Sequence, residues 1–546
     1  MAISIRVLWS SSSRIAIVFL ICAALVGCGS DEGSEEGRVL RGTYGSFPDY
    51  LDPGLSFTLE GATAMHNTYL PLLNYAAASG EAGTELIPGL AKELPKVDQG
   101  GRRYTLHLRP GLEYSDGTPV RASDFRFAVE RLFRLNSAGS TFYTGIVGAE
   151  EFAKTKRGGI EGIESDDRSG KIVIRLTEPS GSFSYILALQ FGALLPPGTP
   201  AEDQTSSPPP ATGPYVITDV RPGRSWEYKR NPAWAANGEA MPEFPDGHVE
   251  KIKFEVRSNP VTEVEEVEAG KSDWMKNPPP PERYADVRDR YEGTQFLEVP
   301  TISVYYFWMN TQTPPFDDPR VRRAVNYAVD PEALERIFAG TLAATQQVLP
   351  PLMPGYRKFE LYPYNLAKAK RLIAQADPAD RDITVWTFNL APTDEAGEYY
   401  EQVLRKLGFE TKLKIIDVTN YFTLIGNSST PDLDTGFSNW LLDYPHPNDY
   451  FAPQLTGESI LPIGNTNWAL FDDPAVNAKT RELGRQQLGP KQEREYAALD
   501  RMVMREAPWA PFGTLTLGTF VSDSIDLDKL VVSPIYGQDL TSFEFK

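Results

Sequence analysis

The residues able to do chemistry are few, and their spacing narrows what they can do. Leu25-Val26-Gly27-Cys28 sets a thiol directly behind small residues. That run looks like a bacterial lipobox, in which the Cys28 sulfur takes a diacylglyceryl group as a thioether and the small residues before it admit the peptidase. With residues 1–27 removed, Cys22 among them, and Cys28 lipidated, no thiol is left for a disulfide, a nucleophile or a metal. The histidines, His66, His107, His248 and His446, are scattered, which leaves little for a multi-histidine metal site. There is no His-Glu-x-x-His and no Gly-x-Ser-x-Gly. Gly270-Lys271-Ser272 resembles the end of a phosphate loop, but Glu265 stands where its first glycine belongs. Paired carboxylates of the kind that hydrolyse glycosides carry no information here, because 73 acids guarantee close pairs by abundance.

Around Cys28 the flanks agree with export. Arg6 and Arg14 precede an apolar run over residues 15–26. As a helix that run spans about 18 Å, short of the ~30 Å hydrocarbon core, so residues 1–27 read as a lipoprotein signal peptide. Residues 29–37 are only Gly, Ser, Asp and Glu, which makes 28–37 a flexible tether. Beyond residue 27 no apolar run is long enough to cross a membrane. At 546 residues and 60.6 kDa the chain calls for two or three lobes. Its 41% hydrophobic and 23% charged residues are globular composition. A net charge of −19 repels phosphate backbones and argues against nucleic acid as a partner.

The elements that must position any site alternate between strand and helix. Residues 103–109 place Tyr104, Leu106 and Leu108 on one face, a half-buried strand. Phe125, Ala128, Val129 and Leu132 then repeat at helical spacing, with Ser123 or Asp124 as N-cap. Residues 251–256 read as a strand with Ile252, Phe254 and Val256 inward. Asp318-Pro319 and Asp330-Pro331 each offer a cap and a first-turn proline to a helix. A strand over 383–387, a helix through Tyr400, Val403, Leu404 and Leu407 closed by Gly408, and a strand through Leu413 and Ile415 make a βαβ unit with a parallel pair. Pro-rich stretches at 196–214 and 278–281 are candidate joints between lobes.

Leu51-Asp52-Pro53, residues 67–73 (NTYLPLL), 104–132 (YTLHLRPGLEYSDGTPVRASDFRFAVERL), Thr212-Gly213-Pro214-Tyr215 and Arg230-Asn231-Pro232 then resemble, in order, segments of one family: the peptide/nickel class (family 5) of extracytoplasmic solute-binding lipoproteins of ABC importers, of the oligopeptide- and dipeptide-binding type. Residues 314–330 (PPFDDPRVRRAVNYAVD), the strongest single match, 367–373 (AKAKRLI) and 440–451 (WLLDYPHPNDYF) complete the series. Gly270 falls within the family's Ala-Gly-x-x-Asp turn before Asp273.

The resemblance implies an α/β, two-lobed periplasmic-binding-protein-like fold with an extra N-terminal subdomain and a hinge between lobes. Lobe I would comprise 38–80, 206–300 and 507–546, the extra subdomain (lobe II) 81–205, and lobe III 301–506. Ligand would be enclosed by lobe closure. It implies a binding protein rather than an enzyme, without cofactor or metal, that captures short peptides and delivers them to permease subunits. The expected setting is a monomer, lipid-anchored on the outer face of the cytoplasmic membrane. Within Trp440-Leu441-Leu442-Asp443, Asp443 inherits the carboxylate that holds the ligand's α-ammonium, with Asn439, Trp440 and Tyr444 beside it. Residues 57–62, including Phe57, Glu60 and Gly61, would line the opposite wall. Two positions depart from many relatives. His446 replaces an acid or amide and is expected to face away from ligand; were it to face the ligand, it would make binding pH-sensitive. Asn365 replaces Asp as a helix cap. The alternatives are a nickel or metal-chelate carrier in the same fold, a secreted lipid-anchored hydrolase, and a structural surface protein, which would have a filled interface in place of an interlobe cavity.

Overall fold

A computed structural model describes residues 39–546. Cys28, the signal segment and the tether lie outside the described residues. The largest sheet runs through both main halves of the molecule. Its order is Glu410–Ile416, Asp382–Phe388, Thr435–Leu441, Ser303–Met309, Trp509–Val521, Trp274–Met275, Val39–Tyr44, Lys251–Val256, Ser225–Arg230 and Tyr215–Arg221. The strand Trp509–Val521 has 13 residues, and at about 3.3 Å each it is long enough to serve two neighbourhoods. Its first part pairs with Ser303–Met309, and its second part with Phe296–Pro300 and Trp274–Met275. The chain therefore crosses between the halves at Thr301-Ile302 and again near Thr514 to Leu517. These crossings form the floor of the site described below.

Local sequence explains the elements on either side. Asp318 accepts from Arg320 N–H at 2.7 Å and starts the helix Pro319–Ala328, whose Val321, Ala324, Val325 and Ala328 are buried. Asp330 does the same for Pro331–Ile337 through Glu332 N–H. The βαβ unit is Asp382–Phe388, Thr393–Lys406 and Glu410–Ile416, its strands parallel, with Gly408 at φ 94° just beyond the helix end. Asn365 caps Leu366–Ala376 by accepting from Lys368 N–H at 2.8 Å. The second proline-rich stretch ends by supplying Pro281 to the first turn of Pro281–Tyr291.

The four-stranded antiparallel sheet Lys96–Asp98, Arg103–His107, Lys171–Arg175, Ile163–Asp166 stands apart. Its core strand stops at His107, two residues short of the span that alternation predicts. Helix Ala122–Leu135 packs over this sheet, and here the predicted cap is corrected. Arg121 occupies the cap, Asp124 sits third in the helix and accepts the Arg121 N–H at 2.8 Å, and Ser123 turns outward to Asp167.

Three large hydrophobic cores result. One is built from residues 302–512, one from 70–194 with Trp234, Met241 and Tyr444, and one from the N- and C-terminal parts around Tyr44, Trp226, Phe254 and Phe543. The Arg131 guanidinium reaches from the helix of the second core to Asp52 beside the third, with both carboxylate oxygens engaged at 2.8 and 2.5 Å and both residues buried. Such a fork fixes orientation as well as charge. Among the described residues no helix is long and apolar enough to cross a membrane.

Candidate functional site

A cavity of about 290 Å³ lies where the three cores meet. Its walls come from Phe57, Leu59 and Ala62, from Phe142, Leu189 and Phe191, from the crossings Val299 to Ile302 and Leu517, from Leu441, Leu442 and Asp443, and from Val532 to Gln538. Phe57 is 51% exposed and Leu441 41% exposed. Large apolar side chains left half-open toward a cleft mark a binding surface. Phe57, Phe142 and Phe191 form a ring cluster with centroids 5.6–6.3 Å apart, and Tyr444 meets Phe142 edge-on at 6.3 Å.

The Phe57 wall is held from behind. Asp49 accepts from Ser56 Oγ, Phe57 N–H and Thr58 Oγ1 at 2.7–2.8 Å. Thr58 then caps helix Leu59–Met65 through Gly61 N–H. A Cβ on Gly61 would stand 1.8 Å from Ser56 Oγ, so this position must be glycine for the loop to lie on its helix. Gly61 thus positions the wall without lining it. Glu60 is half-buried and does not line the cavity; burial lowers the Lys276 ammonium, and the Glu60 charge opposes that shift.

On the facing side Asp443 follows the end of strand Thr435–Leu441 and lines the cavity, half-buried. Its backbone N–H donates to Asp449 Oδ2 at 3.0 Å, and Trp440 Nε1 donates to the same oxygen at 3.4 Å. Burial pushes the Asp443 carboxyl up to about 6. Asp449, fully enclosed, is pushed well up by burial and by the charge on Asp443. Asp449 therefore keeps its proton, and Asp443 carries the negative charge of the pair above pH 6.

The remaining predicted residues are placed otherwise. The strand alternation that turns Leu441 to the cavity turns Trp440 to the opposite face, against Trp468 at 6.4 Å. Asn439 pairs with Tyr305 across the ladder and does not line the cavity. Tyr444 packs into the core of residues 70–194 and lines a second cavity, of about 640 Å³, which shares Phe142 and Asp443 with the first. His446 is fully buried between Tyr185 and Tyr496. Its Nδ1 accepts from Asn448 N–H at 3.1 Å, and burial lowers it to about 3, so it is neutral and faces away from the cavity. Sequence reasoning missed Phe142, Leu189, Phe191, the crossings at 299–302 and the 532–538 segment. All lie in short 3-10 turns, loops or strand ends that topology alone brings together. Asp449 stood inside a quoted segment, but nothing in its spacing set it apart from other acids.

Among the described residues no group of three or more His, Cys, Asp or Glu is placed to hold a metal ion. His66, His107 and His248 each face a separate carboxylate: Asp539, Glu93 and Glu544.

Residues 85–460 match the family described as bacterial extracellular solute-binding proteins, family 5. Heme-binding protein A of Haemophilus influenzae is 25% identical, covering 79% of each chain. The dipeptide-binding protein of Escherichia coli K12 is 24% identical over 74% of this chain and 76% of its own. Among solved structures, clavulanic acid biosynthesis oligopeptide binding protein 2 superimposes with a TM-score of 0.85 at 25% identity, covering 93% of this chain and 95% of that one. The two-lobed architecture is that of these binding proteins, and the chain belongs to the bacterial extracellular solute-binding proteins, family 5.

Proposed function

We propose that this solute-binding protein captures short peptides outside the cytoplasmic membrane and hands them to the permease of an ABC importer. Lobe I is read as 38–80, 206–300 and 507–546, lobe II as 81–205 and lobe III as 301–506, with the crossings at 301–302 and 514–517 as the hinge. Cys28 carries the lipid, and the chain works as a monomer. One observation carries the peptide reading: Asp443 stands at the wall of a mostly apolar cavity, with no cation among the described residues that line it. A desolvated carboxylate of this kind is completed by a ligand ammonium through a charge-assisted hydrogen bond. The aromatic wall opposite receives the ligand's apolar part. Trp440 and Asp449 act through Asp443 by fixing its position, and Tyr444 seals the lobe II side.

The test is to purify the chain without refolding and identify what it retains by native mass spectrometry. Short peptides that dissociate on denaturation are expected. A retained chelate, tetrapyrrole or sugar, with no peptide, would reassign the substrate.

A further inference from the structure

The charge pattern of the cleft goes further than an ammonium site. Among the described residues Asp443 is the one charged side chain in the lining of the 290 Å³ cavity, which includes no Lys, Arg or His. A second polar side chain, carrying no charge, belongs to the same wall. Gln538 spends its Nε2 on Thr519 Oγ1 at 2.9 Å, and its buried Oε1 has no hydrogen-bond donor among the described residues. The adjoining cavity does not restore balance. Its lining holds the charged Glu178, Asp443 and Glu458, with the protonated Asp449, against Arg481 and Arg485. Arg485 is already bound to Glu178 at 3.3 Å, and Arg481 is bound to Glu458.

We infer that the site reads only the amino end of its peptide, together with apolar side chains next to it, and leaves the C-terminal carboxylate unread. This rests on the peptide reading above. A zwitterionic ligand buried whole would bring its carboxylate beside Asp443 with no free cation to meet it, an arrangement penalised by both repulsion and desolvation. A ligand that enters amino end first supplies donors to Asp443. Its first side chains replace water against Phe57, Phe142 and Phe191, and its carboxylate stays in or near solvent. A cavity at the lower end of the about 300–1,000 Å³ typical of ligand sites holds one or two such side chains. Selection then falls on apolar leading residues, with tolerance for whatever follows.

Isothermal titration of the mature protein at pH 7.5 with Phe-Leu-Ala, its C-terminal amide, and Phe-Glu-Ala tests this. The amide is expected to bind within about threefold of the acid, and the glutamate peptide at least about thirtyfold more weakly, because its side chain must be buried beside a like charge. Amidation that weakens binding more than about tenfold, or equal affinity for the glutamate peptide, overturns the inference while leaving peptide capture intact. Absence of binding by all three overturns peptide capture and this inference with it.

Discussion

Acidification should weaken the site, and the size of the effect follows from one group. Burial raises the Asp443 carboxyl to about 6. A ligand ammonium binds only the ionised form, so below pH 6 each association must release a proton. From pH 7 to pH 5 the ionised fraction falls about tenfold, and Kd for a free-amine peptide should rise about tenfold, or about 1.4 kcal/mol. The peptide amine, at about 7.7–8.0 when free, stays protonated throughout and contributes nothing to the slope. Asp443→Asn should abolish the slope and weaken binding at pH 7 by about 3 kcal/mol, somewhat over a hundredfold, the lower end for breaking a buried charge pair because Asp443 is half-buried. Asp449→Ala removes the protonated neighbour whose hydrogen bond favours the Asp443 carboxylate, and should move the midpoint of the profile to higher pH. Calorimetry in buffers of different ionisation enthalpy, repeated with the N-acetylated peptide, reads both slope and proton release. A flat profile for the free-amine peptide, or the same slope for the acetylated one, would refute the reasoning.

Other expectations follow from the same geometry. His446→Asn should leave the pH profile of binding unchanged between pH 5 and 8, since His446 is already neutral and turned away from the cavity; a shifted midpoint would assign the titration to it. Gly61→Ala should weaken free-amine and acetylated peptides alike, because the added Cβ displaces Ser56 and with it the Phe57 wall; a selective loss would place position 61 in amine recognition. Asp52→Ala should cost about 3–5 kcal/mol in denaturant unfolding by leaving Arg131 buried and unpaired, and a loss under about 1 kcal/mol would contradict that pairing. Glu263 is raised by burial to about 7 from 4.5, so its folded state holds a proton that the unfolded chain has lost. Stability is therefore surrendered as pH climbs from about 4.5 to 7, and Glu263→Gln should recover about 3 kcal/mol at pH 8 and almost nothing at pH 4.5.

Much of the scaffold was legible because its signals are local. Asp318-Pro319 and Asp330-Pro331 carry their own caps, Gly408 supplies its own left-handed turn, and the alternation at 251–256 needs no partner to be read. The cap of helix Ala122–Leu135 was misread because Asp124 acts from the third helical position, where composition alone does not separate it from a cap. At the site, Phe57 and Asp443 were reached through the resemblance and do line the cavity. Trp440 shows the limit of proximity in sequence. It lies three residues from Asp443, yet the two-residue period of the strand sends its ring to the other face, where it holds Asp449 instead. Phe142, Phe191 and the 532–538 segment come from distant parts of the chain, and only the strand that runs through both lobes brings them to one place.

The most direct measurement is a crystal structure of the mature protein with Phe-Leu-Ala bound. The peptide nitrogen should lie about 2.7–2.9 Å from an Asp443 oxygen, with the phenyl ring against Phe57, Phe142 and Phe191. A peptide bound with its amino group in solvent, or seated outside the cavity between the lobes, would contradict the account.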